Sequence, residues 1–300
     1  MVISFGGPEK REEVIPFLEN VLRGRNVPAQ RMMEVAEHYY HFGGRSPIND
    51  QNRELIAALR AVLSIPVYWG NRNWHPLLTD TLREMRADGV KRAVAFVTSA
   101  FGSYSGCRQY LHDIERARAE VENAPEIVKI PPFSSHPRFL AAMTDRVRAA
   151  LAELPGARLI FTAHSVPVSM AQSSPYVAEL EAACAAVARG VNRAEWDLVY
   201  QSRSGPPGQP WLEPDICDHL RKLRCDVAIA PIGFLSDHME VLYDLDTEAR
   251  AVCDELGVKM VRAGTVEVHP EMVKMIVELA NQDHAACRAD CCPPPGKPGR

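Results

Sequence analysis

The sequence lacks a long apolar segment, an excess of positive charge and a nucleotide-binding glycine motif. No run of about 18 apolar residues occurs in the 300 residues, so no membrane-spanning helix is predicted. The net charge of -4 argues against a nucleic-acid-binding protein, which would carry a basic patch or a strongly basic balance. No G-x-G-x-x-G motif opens a helix, so a dinucleotide cofactor is not indicated.

The start of the chain also lacks a targeting signal. It opens on the apolar residues 2–5, without a charged segment followed by a cleavage site and without an Arg-rich presequence. We therefore expect a cytoplasmic protein, either a monomer or a homodimer, with peripheral contact with a membrane as an open alternative. A composition of 46% hydrophobic and 24% charged residues predicts one large or two small globular units.

Short apolar segments alternate with amphipathic segments along the whole chain. The expected strands are 2–5, 66–70, 92–99, 126–132, 158–163, 197–202, 226–234 and 259–263. The expected helices include 9–23, 50–63, 76–88, 107–121, 136–153, 176–189, 214–223 and 269–282. Repetition of strand and helix predicts α/β architecture with parallel sheets, and eight strands suit two four-stranded units joined near residue 100.

The segment 231–248 carries the most informative pattern, because an apolar strand runs into an acidic helix. Glu240, Asp244 and Glu248 are spaced i, i+4, i+8, which places them along one helix face about one turn apart. No Lys or Arg lies between Ile232 and Arg250 to offset their repulsion. Two interpretations stay open: a track of oxygen ligands for a divalent cation, or an acidic face that is simply solvated.

A histidine follows a second apolar segment. Residues 158–163 predict a buried parallel strand, and His164 stands at its carboxyl end, the edge where open α/β sheets bind ligands. The alternative is a structural histidine bonded to a backbone carbonyl.

Six short motifs occur in order along nearly the whole chain. They are F-G-G-P at 5–8, G-G-R-S-P at 43–47, T-A-H-S-V-P at 162–167, Y-Q-S-R-S-G-P at 200–206, P-W-L-E-P-D at 210–215 and S-D-H-M-E at 236–240. Together they resemble the ferrochelatase family, which inserts ferrous iron into a porphyrin.

The resemblance implies two similar Rossmann-like domains of the chelatase type, each a four-stranded parallel sheet flanked by helices. We expect the first at 1–99 plus 267–285, the second at 100–266, and a Cys- and Pro-rich tail at 286–300.

The resemblance also implies roles for the acidic helix and the histidine. Insertion requires the porphyrin to lose two pyrrole protons while iron enters, so a base must lie over the ring. His164 and Glu240 are the expected catalytic residues. The metal ligands are expected to be His164, Glu240, Asp244 and Glu248, with His238 in a supporting position.

Five positions match residues that line the porphyrin pocket in the family: Phe5, Arg23, Arg25, Ser46 and Tyr110. The two arginines would bind propionates, with Arg23 favoured. Compensation of a helix dipole is the alternative for both, and it explains Arg25 equally simply. Phe5 departs from relatives that carry Tyr or Met here, and it cannot ligate iron. Any axial contribution from this position is therefore in doubt.

Four of the eight cysteines form a distinctive set. Cys287, Cys291 and Cys292 lie in a proline-rich tail that cannot fold unaided, and Cys107 lies in a distant loop. Some actinobacterial-type relatives carry a [2Fe–2S] cluster with this arrangement, so a cluster is the favoured interpretation. A structural zinc and free thiols are the alternatives. The remaining four cysteines are expected to be ordinary reduced thiols.

The sequence alone leaves three functions open. The favoured one is a ferrochelatase acting on coproporphyrin III, with protoporphyrin IX as the other porphyrin substrate. The others are a non-catalytic haem or iron carrier on the same fold and a cobalt chelatase. A carrier needs neither a base nor a metal track, so the combination of His164 with the three carboxylates favours an enzyme.

Overall fold

The computed structural model describes residues 1–24, 27–205, 208–285, 287 and 290–294. Contacts divide these residues into two compact units. Unit 1 comprises the described residues within Met1–Thr98, Tyr110–Ile130 and Ile276–Ala286. Unit 2 comprises those within Ser99–Gln109, Pro131–Met275 and Cys287–Arg300.

Unit 1 is built on a four-stranded parallel sheet. Its strands are β1 (Val2–Ser4), β2 (Trp69–Asn71), β3 (Arg92–Val97) and β4 (Glu126–Lys129), in the spatial order β2-β1-β3-β4. The register pairs Ile3 with Gly70 on one side and with Val97 on the other. The helices are α1 (Val14–Leu22), α2 (Ala29–His41), α3 (Ile48–Val62), α4 (Leu78–Ala87) and α5 (Gln109–Ala119), the last beginning at the end of unit 2.

Unit 2 contains the second four-stranded parallel sheet. Its strands are β5 (Arg158–His164), β6 (Trp196–Gln201), β7 (Val227–Ala230) and β8 (Met260–Arg262), in the order β6-β5-β7-β8. Its helices are α6 (Pro137–Glu153), α7 (Val168–Gln172), α8 (Tyr176–Gly190), α9 (Ile216–Leu220), α10 (Met239–Val241) and α11 (Arg250–Leu256), with α12 (Pro270–Ala280) running on into unit 1. Two π-helical segments, Tyr104–Arg108 and Leu242–Ala249, precede α5 and α11.

The two sheets have the same strand order, and this confirms the expected fold of two similar Rossmann-like units. In each sheet the first strand lies between the second and the third, so the connections leave it in opposite directions. The carboxyl ends of the first and third strands therefore form the topological switch point, where such sheets bind ligands. In unit 2 the switch point lies between the ends of β5 and β7.

Each sheet is buried by apolar side chains from its flanking helices. In unit 1, Ile3 and Val97 pack with Leu82 and Ile114 from α4 and α5. In unit 2, the corresponding cluster joins the strands to the helices that follow β7; it includes Ile160, Ile229, Val241, Leu245 and Val252. The residues that carry the acidic pattern thus belong to a helical segment whose opposite face is fixed in the core.

The structure corrects the expected boundaries in three places. The strand β4 pairs with β3, so residues 110–130 belong to unit 1 and not to the second domain expected at 100–266. Residues 267–275 remain with unit 2, and only the end of α12 joins unit 1. The described residues of the tail expected at 286–300, Cys287 and 290–294, group with unit 2.

No helix within the described ranges is long and apolar enough to cross a membrane.

Gly233 provides a test of how closely the segment after β7 approaches β5. Its N–H donates to the carbonyl of Thr162 at 3.0 Å, and a Cβ built on it would lie 2.6 Å from the Cα of Ala163. We expect Gly233→Ala to lower the free energy of unfolding by about 1–3 kcal/mol, because backbone atoms must move apart. Gly156→Ala is the control, since its Cβ would meet nothing within 4 Å. Equal stability of the two variants in urea titration would contradict this packing.

Candidate active site

His164 is the last residue of β5, the strand at the switch point of unit 2. Its Nδ1 lies within hydrogen-bond distance of the carbonyl oxygen of Ser165, and a carbonyl can only accept. Nδ1 therefore carries the proton, and in the neutral ring Nε2 is the atom that can accept another. The hydroxyl of Tyr176 donates to the carbonyl of His164 at 2.9 Å, which fixes the backbone here.

Glu240 faces this histidine from the segment that follows β7. Its Oε1 lies 3.6 Å from His164 Nε2, and the two side chains keep 48% and 32% of their surfaces exposed. His238 caps helix α10 by accepting the N–H of Glu240 at 3.2 Å, and Gln201 donates its amide to the carbonyl of Glu240 at 3.0 Å. The pair is thus positioned from β5, β6 and α10, and it remains open to a ligand.

The two charges stabilise each other. Burial disfavours the charged form of His164, but the Glu240 carboxylate outweighs this effect and raises the pKa of the imidazole. Burial likewise opposes ionisation of Glu240, whereas His164 and then His238 lower the pKa of its carboxyl to about 2. The imidazole therefore takes up a proton more readily than a free histidine, next to a carboxylate that stays ionised.

Two of the three acidic residues lie on a π-helix and not on the expected α-helix. Asp244 and Glu248 fall within Leu242–Ala249, so each turn contains about one residue more than in an α-helix. The Ser202 hydroxyl and the Gln201 amide both donate to Asp244 Oδ2, the latter at 3.4 Å. π-helical insertions occur frequently at functional sites.

Asp244 has an unusual charge state. Burial raises the pKa of its carboxyl to about 7, and the neighbouring Glu240 and Glu248 carboxylates add to the effect. The pKa of the more exposed Glu248 is also raised, by burial and by Asp215. The three carboxylates therefore interact electrostatically, as a continuous track requires. Within the described ranges, however, no group of three or more His, Cys, Asp or Glu side chains forms a site ready to hold a metal.

Two of the expected porphyrin-pocket residues are exposed in unit 1. Phe5 follows β1 and remains 36% exposed, with its ring 6.2 Å from that of Phe17 in an edge-to-face arrangement. Arg23 follows α1, directly before Gly24, and donates to the Asn20 side chain. Both side chains can contact a ligand. The expected partner Arg25 lies outside the described residues.

The other two expected pocket residues are buried. Ser46 is 3% exposed, and its backbone N–H donates to the carbonyl of Pro8 at 2.9 Å. Tyr110 belongs to the core of unit 1, with the guanidinium of Arg72 lying 4.4 Å from its ring centroid. In turn, Arg72 is paired with the carboxylate of Asp113. This burial favours a packing role for Ser46 and Tyr110 over the expected role in lining a pocket.

Comparisons with known proteins identify the family of the chain and agree with its fold. The sequence model of the ferrochelatase family matches residues 1–284. The chain belongs to this family. A ferrochelatase of Rhodopirellula baltica is 51% identical over 97% of this chain and 92% of its own length. A coproporphyrin III ferrochelatase of Mycobacterium avium is 50% identical over 94% and 87%. The sirohydrochlorin chelatase SirB of Bacillus subtilis, 10% identical, shares the fold with a TM-score of 0.59 over 93% of this chain and 92% of its own.

Two residues outside the expected set bind the acidic segment. Gln201 and Ser202, which bind the acidic segment, lie at the end of an expected strand and inside the Y-Q-S-R-S-G-P motif. The rule that placed His164 at a strand's carboxyl end could also have identified them. The Arg72–Asp113 pair has no such signal, because its residues are far apart in sequence.

Two of the four selected cysteines, Cys291 and Cys292, lie side by side in unit 2, and Cys107 acts electrostatically on Cys292. Cys107 and Cys292 are buried, and the Sγ atoms of Cys291 and Cys292 lie 3.6 Å apart. Burial raises the pKa of Cys292 to about 12, with further contributions from Cys291 and Cys107. The Arg108 guanidinium holds this part of the tail by donating to the Cys291 carbonyl at 2.9 and 2.7 Å. Cys287 is partly buried.

The charge state of Asp244 can be measured directly. We expect its carboxyl to titrate near pH 7 in carbon-detected NMR, and Glu248→Gln to lower this midpoint because a neighbouring charge is lost. Since the folded state holds this proton to a higher pH than the unfolded state, the contribution of Asp244 to stability falls as pH rises from about 4 to about 7. Asp244→Asn should remove that component. A midpoint near 4 in the wild type would contradict the raised pKa of Asp244.

Proposed function

We propose that this protein inserts ferrous iron into a porphyrin, with coproporphyrin III as the favoured substrate, in haem biosynthesis. The observation that carries the proposal is the pairing of His164 with Glu240 at the switch point of unit 2. Membership of the ferrochelatase family supports the reaction class. Relatives from Nocardia farcinica and Mycobacterium avium named coproporphyrin III ferrochelatase support the choice of porphyrin.

In this mechanism, His164 removes a pyrrole proton. The Nδ1–H bond to the Ser165 carbonyl orients the ring, so that Nε2 is the atom directed to the site. As Nε2 accepts the proton, the imidazolium that forms is stabilised by the Glu240 carboxylate 3.6 Å away. The base is strengthened before the porphyrin arrives, because the raised pKa already exists in the protein alone.

The carboxylates act on the iron. Glu240 offers ionised oxygen atoms next to the base, and hard oxygen ligands suit a divalent cation in transit. Asp244 and Glu248 continue the negative potential along the π-helix.

The decisive experiment is an anaerobic insertion assay with ferrous iron and either coproporphyrin III or protoporphyrin IX. A higher kcat/KM with coproporphyrin III is expected. Insertion into protoporphyrin IX alone would reverse the substrate assignment. Failure to insert metal into either porphyrin, combined with tight binding of haem, would favour the carrier. A preference for cobalt with another tetrapyrrole would favour the third function.

We expect His164→Ala to lower the rate of insertion by about a hundredfold or more while porphyrin binding, followed by fluorescence, stays nearly intact. The base and its Nδ1 bond to the Ser165 carbonyl are lost, whereas the bond from the Tyr176 hydroxyl to the carbonyl of residue 164 remains. His219→Ala is the matched control, because this histidine of unit 2 pairs with Asp197 near the amino end of β6, whereas the site lies at the carboxyl ends of the strands. Retention of more than about a tenth of the wild-type rate in His164→Ala would exclude a general-base role.

We also propose a [2Fe–2S] cluster on Cys107, Cys287, Cys291 and Cys292. The adjacent Cys291 and Cys292 thiols and the electrostatic effect of Cys107 on Cys292 support the proposal, although the four thiols do not form a ready metal site within the described residues. A bound cluster would link the tail to the Cys107 loop and supply one-electron chemistry. The proposed roles of His164 and Glu240 in metal insertion do not require the cluster.

The purified protein should be red-brown, with visible absorption that disappears in Cys107→Ser because one of four thiolates is lost. Cys225→Ser is the control, since Cys225 is exposed and outside the set, and its absorption should equal that of the wild type. Iron and sulfide analysis of anaerobically purified protein provides the second measurement. A colourless protein containing about one zinc per chain would replace the cluster by a tetrahedral structural site.

A further inference from the structure

Arg262, the last residue of β8, makes an unusually complete set of hydrogen bonds. Its guanidinium donates to both carboxylate oxygens of Asp246, at 2.7 and 2.9 Å, and to both oxygens of Asp237, at 3.0 and 3.3 Å. A fifth bond goes to the carbonyl of Ala263 at 3.2 Å. These five bonds equal the five N–H donors that a guanidinium possesses.

The two aspartates flank the residues that act in the proposed mechanism. Asp237 lies three residues before Glu240, next to the His238 cap of α10. Asp246 lies on the π-helix, two residues after Asp244. Arg262 therefore fixes the segment 237–246 to the sheet at both ends, and the site residues Glu240 and Asp244 lie between the two fixed points.

The position of this arginine makes the interaction stronger than a surface ion pair. Its side chain is 12% exposed, and those of Asp237 and Asp246 are 19% and 33% exposed. Bidentate contacts between a guanidinium and carboxylates are directional, and removal of one partner leaves the other charges partly buried and unpaired. A lysine at this position would keep the charge but could not serve both carboxylates with a planar fork.

We propose that Arg262 is a positioning residue, which holds Glu240 and the π-helical carboxylates in the geometry needed for metal insertion. It does not touch the reacting atoms. Its effect passes through Asp237 to the start of α10 and through Asp246 to the π-helix. The inference rests on the proposed function for its kinetic part, whereas the anchoring of the segment is a property of the protein alone.

Arg262→Lys is the test, with hydrogen–deuterium exchange and steady-state insertion kinetics as two separate readouts. We expect backbone amides of 239–249 to exchange faster than in the wild type, because the fork that fixes both ends is lost. We also expect kcat to fall by about ten- to a hundredfold while the Kd for the porphyrin changes less than twofold, since misplacement of a catalytic group by about 1 Å has effects of this size.

Arg158→Lys is the matched control. Arg158 is the first residue of β5 in the same unit, and it also pairs with two carboxylates, those of Asp197 and Glu195. Arg158→Lys should lower the stability of the protein. The exchange rates of the amides in 239–249 and kcat should equal those of the wild type. If Arg262→Lys does not fold, Asp246→Asn takes its place, because it weakens the attachment of the π-helix while leaving the Arg262–Asp237 contact.

The outcomes separate the two proposals. If the wild type inserts iron and Arg262→Lys retains its kcat, the positioning role is wrong and the proposed function stands. Unchanged exchange in 239–249 would likewise show that the five bonds do not hold the segment. If the wild type inserts no metal into either porphyrin, the proposed function fails, and the kinetic role of Arg262 fails with it.

Discussion

The 3.6 Å contact between His164 and Glu240 is the interaction on which the rest of the site depends. A base that is buried alone would lose its affinity for protons, because burial disfavours the imidazolium. The adjacent carboxylate reverses this effect, and the bond from Nδ1 to the Ser165 carbonyl leaves Nε2 as the reactive atom. The side chains of the pair come from β5 and from the segment after β7. They meet because the strand order places the ends of these strands side by side.

The acidic segment must accommodate three carboxylates without a nearby lysine or arginine on the same helix. Two features of the structure reduce the negative charge along this segment. Asp244 holds its proton up to about neutral pH, so the three groups are not all charged under acidic conditions. Arg262 approaches from β8 and pairs with Asp237 and Asp246, two carboxylates outside the set, while Glu240 pairs with His164.

The sequence predicted the eight strands and the position of His164 well, because both depend on local apolar runs and on the rule that ligands lie at carboxyl ends of parallel strands. It could not distinguish an α-helix from a π-helix for Asp244 and Glu248, since a spacing of four residues keeps side chains near one face in either. The assignment of residues 110–130 failed for a different reason. The position of β4 depends on its pairing with β3, and linear patterns do not contain that pairing.

The resemblance to the family assigns Ser46 and Tyr110 to the porphyrin pocket, and that role stays a prediction. In the protein alone, each is buried by contacts with residues distant in sequence. Gln201 lies at the end of an expected strand and follows the same rule as His164, whereas the bonds of Arg262 follow from no local pattern. The two sheets illustrate the same point, because they share one strand order while their switch points differ in chemistry. In unit 1, β1 leads to the apolar Phe5, whereas in unit 2 the equivalent strand ends in His164. The common scaffold thus fixes where a site forms, and the side chains at each strand end determine what that site can do.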